Sequence, residues 1–209
     1  MNYIMQYNGD KMKKIVLATH NKGKAKEFKS LLEDLNFEVL TKDDVGISID
    51  PEENGETLEE NAKIKALAIY DNIKKYTLAD DTGLFVESLN GLPGVHTARY
   101  AGENCSDKDN REKLLLEMSG IKNRKAYFET VIALIDESGK IHYAHGRCNG
   151  SISEEERGEK GFGFDKLFIP DGYDKTFAEL SEKEKNMISH RSLALLNLKD
   201  LLKEEVLWL

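Results

Sequence analysis

The stretch Tyr76-Thr77-Leu78-Ala79-Asp80-Asp81-Thr82-Gly83-Leu84-Phe85-Val86 decides how this chain is read. Its apolar start, Tyr76 to Ala79, reads as a buried strand that delivers two adjacent carboxylates. Side chains alternate faces along a strand, so neighbouring acids reach one surface only where the chain bends. The reading is therefore a strand over 76–79, a turn at Asp80-Asp81-Thr82-Gly83 and a return strand over 84–86. By itself Asp-Asp-Thr-Gly is only a sharp turn. Its surroundings make it a candidate for chemistry, because loops that follow strands often carry catalytic residues.

Upstream, Lys14 to Thr19 reads as a buried strand, and a helix follows from Gly23 to Leu35 with Ala25, Phe28, Leu31, Leu32 and Leu35 on a 3.6-residue period. Phe37 to Leu40 is a short strand. After a polar loop, Thr57 and Glu60 form a capping box for a helix that runs to Ile73. Downstream, Gly91-Leu92-Pro93-Gly94 is a turn and Asp107 to Met118 a helix, with Leu114, Leu115 and Met118 inward. Ala126 to Ile135 alternates as a strand and pairs across a turn at 137–140 with a strand over Ile141 to His145. Phe164 to Ile169 reads as one more strand. The tail is helical, with a second capping box at Ser181 and Glu184 and with Leu193, Leu196, Leu201 and Val206 on one side. The expected fold is α/β, a mixed central sheet flanked by helices, with a hairpin-rich second lobe and a cleft between lobes.

The 209 residues carry a formal net charge of −8, which argues against a nonspecific nucleic-acid binder but leaves room for a small polyphosphate. No 18-residue apolar stretch exists, so no membrane span is expected. The first residues do not read as a signal peptide. Cys105 and Cys148 make neither a disulfide framework nor a metal cluster, and read as free thiols of a reducing cytoplasm.

Three segments carry candidate chemistry. Thr19-His20-Asn21-Lys22-Gly23-Lys24 joins the first strand to the first helix, where backbone N–H groups and the helix dipole favour anions. It lacks the spacing of a Walker A loop, and an ordinary strand–helix turn explains it as well. Glu52 and Glu53 lie in a polar loop from which a carboxylate can meet Asp81; such an oxygen set suits Mg²⁺ with substrate phosphates, and the lack of a Cys/His cluster disfavours zinc. Gly161-Phe162-Gly163-Phe164-Asp165 offers an aromatic face for a planar ligand, or plain core packing. Lys185 and the pair His190-Arg191 read as surface or capping residues, or as a fork for base or phosphate oxygens, and Arg99 as a support of the active edge.

Taken in order, LATHNKGK, Glu60-Asn61-Ala62, ADDTGL, GLPGVHTARYAG, GFGFD and SHR closely resemble the Ham1-like inosine triphosphate pyrophosphatase family. The likeness runs from about Lys14 to Leu202. It departs from the family pattern at His20, at Glu159-Lys160-Gly161-Phe162 and at Lys166. The resemblance implies an ITPase-like (Maf/Ham1-type) catalytic domain of two lobes over 13–209; residues 1–12 fall outside it and read as an N-terminal extension, either disordered or ahead of a start nearer Met12. It implies Mg²⁺-dependent hydrolysis of noncanonical purine nucleoside triphosphates (ITP, dITP, XTP) to monophosphate and pyrophosphate, by a cytoplasmic homodimer that sanitises the nucleotide pool. By that likeness Asp81 accepts the proton of water and binds metal, Glu53 is the second metal carboxylate with Glu52 close behind, and Asp80 and Lys24 support catalysis. Thr19, His20, Asn21, Lys22, Gly23 and Lys24 hold the triphosphate and Thr82 touches substrate. Phe162, Gly163, Phe164, Asp165, Lys185, His190 and Arg191 hold the purine. The alternative within the same reading is a pyrophosphatase of pyrimidine or other modified nucleotides; a nucleotidyl transferase and a non-catalytic nucleotide binder are the other classes.

Overall fold

The computed structural model describes residues 13–32 and 37–204, with no side-chain description beyond 201. The expected extension at 1–12, Leu35 and Val206 lie outside those residues.

The elements follow in order as β1 (Lys13–Leu17), α1 (Lys22–Leu32), β2 (Phe37–Thr41), α2 (Leu58–Ile73), β3 (Tyr76–Val86), β4 (Pro93–Gly94), α3 (Asp107–Glu117), β5 (Lys125–Ile135), β6 (Ile141–Ile152), β7 (Phe168–Pro170), α4 (Glu182–Ile188) and α5 (His190–Glu204). They build one mixed sheet in the order β2-β1-β3-β5-β6-β7, with β4 against the far end of β3. The β1–β2 and β1–β3 pairs are parallel, and every pair beyond β3 is antiparallel. The expected mixed sheet with flanking helices is the observed architecture.

The decisive stretch folds differently from the expectation. There is no turn at Asp80–Gly83: β3 is one strand of 11 residues, paired with β5 from Thr77↔Ile135 to Val86↔Ala126. The long partner supplies ladder hydrogen bonds straight through the acidic pair, so the backbone has no cause to bend. Alternation then sends the two acids to opposite faces. Leu78, one pair before Asp80, packs with Phe28 and Leu32 of α1 and with Ala194, Leu195 and Leu198 of α5. Ala79, one pair before Asp81, packs with Ala62, Ala66 and Ile69 of α2. A third cluster, with Leu84, Val86, Leu114, Met118, Phe128, Phe168 and Phe177, fills the half of the sheet that β1 does not reach.

Three further expectations change. β6 runs on past His145 to Ile152, because Ala144, Gly146, Cys148, Gly150 and Ile152 all alternate inward. The strand expected over 164–169 is confined to β7. Phe164, Leu167 and Phe168 are buried at the spacing of turns, and Asp165 N and Leu167 N donate to Phe162 O and Phe164 O. In α5 the buried face is Arg191, Ala194, Leu195 and Leu198, while Leu196 is exposed. The capping boxes at Thr57/Glu60 and Ser181/Glu184 form, and a third, Ser106/Asp109, starts α3.

Gly146 fixes how close α5 comes. A Cβ there would collide with His190 O and Ala194 N, both backbone atoms that cannot yield. Gly146→Ala is expected to cost about 3 kcal/mol, the upper end for overpacking, read from the midpoint of denaturant unfolding. A loss below about 1 kcal/mol would mean that α5 is free to move off β6.

Candidate active site

β1 ends at Leu17, its last pair with β3 being Leu17↔Leu78. Beyond that point β3 is open on one edge, and a cavity of about 340 Å³ lies there, bordered by α1, α2, α4, α5 and the 162–165 loop. Crevices at the carboxyl ends of parallel strands are the usual ligand sites of such sheets. The open edge also explains how acids on opposite faces serve one neighbourhood.

On the α2 face, Asp81 is buried and Glu53 half-buried, and both close on one cation. Lys65 Nζ donates to Asp81 Oδ1 at 2.7 Å and to Glu53 Oε2 at 2.9 Å. Asn61 Nδ2 donates to Asp81 Oδ2 at 3.4 Å, and Arg99 Nη2 holds the Glu53 carbonyl at 3.2 Å. Burial lifts the Asp81 carboxyl above its ordinary range, against the pull of Lys65 and Lys24. Burial disfavours the Lys65 ammonium, but Asp81 and Glu53 outweigh it and raise its pKa.

On the α1/α5 face, Asp80 Oδ2 lies 3.0 Å from Lys24 Nζ and 3.5 Å from Arg191 Nη2. Burial opposes ionisation of Asp80, yet Lys24 and Arg191 together hold it well below the usual carboxylate range. Thr82 Oγ1 bridges Asp80 Oδ2 at 3.1 Å and Thr130 Oγ1 at 2.7 Å. Arg191, only 1% exposed, also pairs with Glu27, which receives Lys185 Nζ at 2.7 Å. Lys185 in turn donates to Asp165 at 2.7 Å, so an alternating chain of charges runs from Lys24 to Asp165. Burial pushes the Asp165 carboxyl up despite Lys185. The His190 ring is buried, stacks on Phe128 with centroids 4.5 Å apart and is held well below its ordinary pKa by burial and by Arg191. Asp80 Oδ1, His190 Nδ1 and Arg191 Nε are buried without a protein hydrogen-bond partner.

The 162–165 loop is held from two sides. Gly163 N donates to Asp107 Oδ2 at 2.7 Å and Gly163 O accepts from Arg111 at 2.9 Å, while Phe162 N donates to Asp165 Oδ2 at 2.9 Å. Phe164 enters the core. The Phe162 ring is thereby set against Gly23, where any Cβ would collide with it, and within 5.7 Å of the Arg191 guanidinium.

The structure thus gathers Thr19, His20, Asn21, Lys24, Glu53, Asp81, Thr82, Phe162, Gly163, Phe164, Asp165, Lys185, His190 and Arg191 around one cavity. Asp80 sits just behind its lining. Lys22 and Glu52 are exposed and outside the lining, and Gly23 lies behind Phe162. Lys65 and Glu27 were missed from the sequence. Each had a signal, since Lys65 follows Asn61 by four residues on one helix face and Glu27 is the lone acid of a basic helix.

Residues 15–201 match the Ham1 family. This chain belongs to that family. It is 47% identical over 189 residues to the dITP/XTP pyrophosphatase of Thermoanaerobacter pseudethanolicus, covering 90% of this chain and 95% of that protein. It is 45% identical over 194 residues to the Bacillus subtilis protein of the same name, covering 92% and 98%. Among solved structures, the Staphylococcus aureus Ham1 protein superposes with a TM-score of 0.82 at 40% identity, over 92% of this chain and all of that one (100%). The Mycobacterium abscessus dITP/XTP pyrophosphatase does so with a TM-score of 0.71 at 37% identity, over 88% and 98%. These Ham1 relatives span nearly the whole described fold.

Among the described residues no three His, Cys, Asp or Glu side chains form a closed metal cage. No helix among them is long and apolar enough to cross a membrane. Two carboxylates already closed on an ammonium do fit Mg²⁺, which takes one or two carboxylates and completes its shell with water and phosphate.

Proposed function

We propose that this protein hydrolyses noncanonical purine nucleoside triphosphates (ITP, dITP and XTP) to the nucleoside monophosphate and pyrophosphate, with Mg²⁺ as cofactor. One observation carries the reading: Glu53 and Asp81 converge on Lys65 of α2 in a cavity that Asn21 and Lys24 at the start of α1 also line, in a chain 47% identical to a dITP/XTP pyrophosphatase over 90% of its length. Activity as a homodimer in the cytoplasm, with 13–209 as one catalytic domain, belongs to the same proposal on family likeness.

Glu53 and Asp81 would hold Mg²⁺, which when bound offsets phosphate charge and activates water. Asp81, its carboxyl raised by burial, is placed to take the proton of the attacking water. The attack falls on the α-phosphorus, the α–β anhydride bond breaks and pyrophosphate leaves with the bonding electrons. Lys24 and the α1 N-terminus stabilise the charge that develops on that leaving group. Asp80 acts through Lys24 by fixing its ammonium. Phe162 offers its face to the base. Arg191 supplies donors suited to a 6-oxo group and mismatched to the 6-amino group of adenine.

Glu53, rather than Glu52, is the metal carboxylate of this reading. Glu53→Gln is expected to raise the Mg²⁺ concentration for half-maximal rate by at least about tenfold, the loss seen when even outer partners of metal ligands are changed. Glu52→Gln should leave it unchanged. The function itself is tested with ITP, XTP, dITP, GTP, ATP, dTTP and UTP, scoring monophosphate and intact pyrophosphate. Preference for ITP, dITP and XTP over ATP, and over GTP, which shares their 6-oxo group, supports the reading; preference for GTP or ATP would overturn the substrate assignment. Preference for a pyrimidine would transfer it to other modified nucleotides, and no turnover would remove it.

A further inference from the structure

Lys42 follows β2 and is 3% exposed, yet the catalytic scheme above gives it no role. A buried ammonium needs a reason. Its Nζ donates to Ile49 O at 2.7 Å and meets His20 Nε2. Asp50 closes the group, with Oδ1 3.1 Å from His20 Nε2 and 3.6 Å from Lys42 Nζ. Lys42, His20 and Asp50 all border the cavity that holds Asp81.

The two sides of this cluster are built differently. Lys42 is enclosed and fixed through the Ile49 carbonyl, whereas the Asp50 side chain is 76% exposed. An ion pair with so exposed a partner contributes little and is readily exchanged. Of the two acids that follow Lys42, Asp43 and Asp44, the second is engaged by Thr41 N and Oγ1, each at 2.8 Å. A rigid cation with a loose anion, next to the turn that begins α1, is the arrangement of an anion site occupied by the chain's own carboxylate. A phosphate brings more charge and more acceptor oxygens than a carboxylate.

We propose that the distal phosphate of the bound triphosphate displaces the Asp50 carboxylate and is held by Lys42 and His20. Lys42 is then a further phosphate-binding residue, and Asp50 an internal competitor of the substrate and of pyrophosphate. The inference rests on the reading of the cavity as a nucleoside triphosphate site.

The test is binding of inorganic pyrophosphate and of inosine monophosphate to the full chain by titration calorimetry, without turnover. Lys42→Met should weaken pyrophosphate about tenfold or more, the size of one charge-assisted contact, with monophosphate affinity unchanged. Asp50→Asn should tighten pyrophosphate severalfold. Because Asp50 is exposed, that variant remains informative should Lys42→Met fold poorly. Unchanged or weaker pyrophosphate binding in Asp50→Asn overturns the proposal, as does an equal loss of both ligands in Lys42→Met. Failure to hydrolyse ITP or XTP would overturn the function while leaving the pyrophosphate titrations to decide the site on their own.

Discussion

Asp81→Asn is expected to lower kcat for ITP by about 10²- to 10⁴-fold, the contribution of a positioned general base, while the protein stays folded. Asn keeps the shape of the side chain and one acceptor oxygen, which can serve Lys65 at the present 2.7 Å, while only the long 3.4 Å contact from Asn61 Nδ2 to the other oxygen is given up. What it loses is the charge. Lys65 keeps Glu53 as a counter-ion at 2.9 Å, so the buried ammonium is not left alone. Stability should therefore fall by little compared with turnover. Burial also predicts how the parent responds to pH. Burial raises the Asp81 carboxyl in the metal-free protein, and proton and Mg²⁺ compete for it, so kcat/KM should show an acid limb that moves to lower pH as Mg²⁺ is raised. That limb should vanish from the residual activity of Asp81→Asn. A variant within tenfold of the parent, or one that retains the acid limb, would move the proton acceptor elsewhere.

The residues of this centre were legible in the sequence for a reason different from the one that makes them work. Asp80 and Asp81 stood out as a pair, and a turn was the only local way to bring neighbouring acids to one surface. A longer partner strand removes that need: β5 pairs with β3 straight through the acids, and β1 stops short, so the cavity reaches the bare edge of β3 with Asp81 in its lining and Asp80 just behind it. Nothing within 76–86 records how far β1 extends. The capping boxes at Thr57 and Ser181 are legible because they need only side chains three residues apart, and both form. Placement that depends on distant segments is not. His190-Arg191 looks like a polar pair at a helix start, and both residues are buried because Gly146, 44 positions earlier, lets α5 settle on β6. Lys65 and Glu27 stayed hidden because a charged residue on an amphipathic helix is usually solvated. The spacing from Asn61 and the lone acid of a basic helix mark them only as positions, and burial against acids or bases from distant segments gives those positions their meaning.

Arg191→Met should be the most destabilising single change in the site, by about 3–5 kcal/mol, the usual result of removing one partner from a buried ion pair. Arg191 is 1% exposed and stands between Glu27 on α1 and Asp80 on β3. Methionine fills much of the same space, so the loss would come from charge rather than from a cavity. Neither acid is wholly abandoned, since Asp80 keeps Lys24 at 3.0 Å and Glu27 keeps Lys185 at 2.7 Å. Each nonetheless relies on Arg191 to overcome its own burial. Both carboxyls are depressed in the folded protein, so their contribution is complete above the unfolded carboxylate values of about 4. It is lost as pH falls through the folded values. The gap in stability between parent and variant should thus be widest near neutrality and narrow in acid, where the variant's stranded carboxylates take up protons. Glu27→Gln placed on top of Arg191→Met removes one stranded charge, so the double variant should lose less than the sum of the two single losses. Denaturant unfolding at neutral and acid pH measures all of these. A loss below about 1 kcal/mol, or a gap that widens in acid, would mean that Lys24 and Lys185 alone balance these acids. Arg191 would then be free to serve the nucleotide base without holding the fold together.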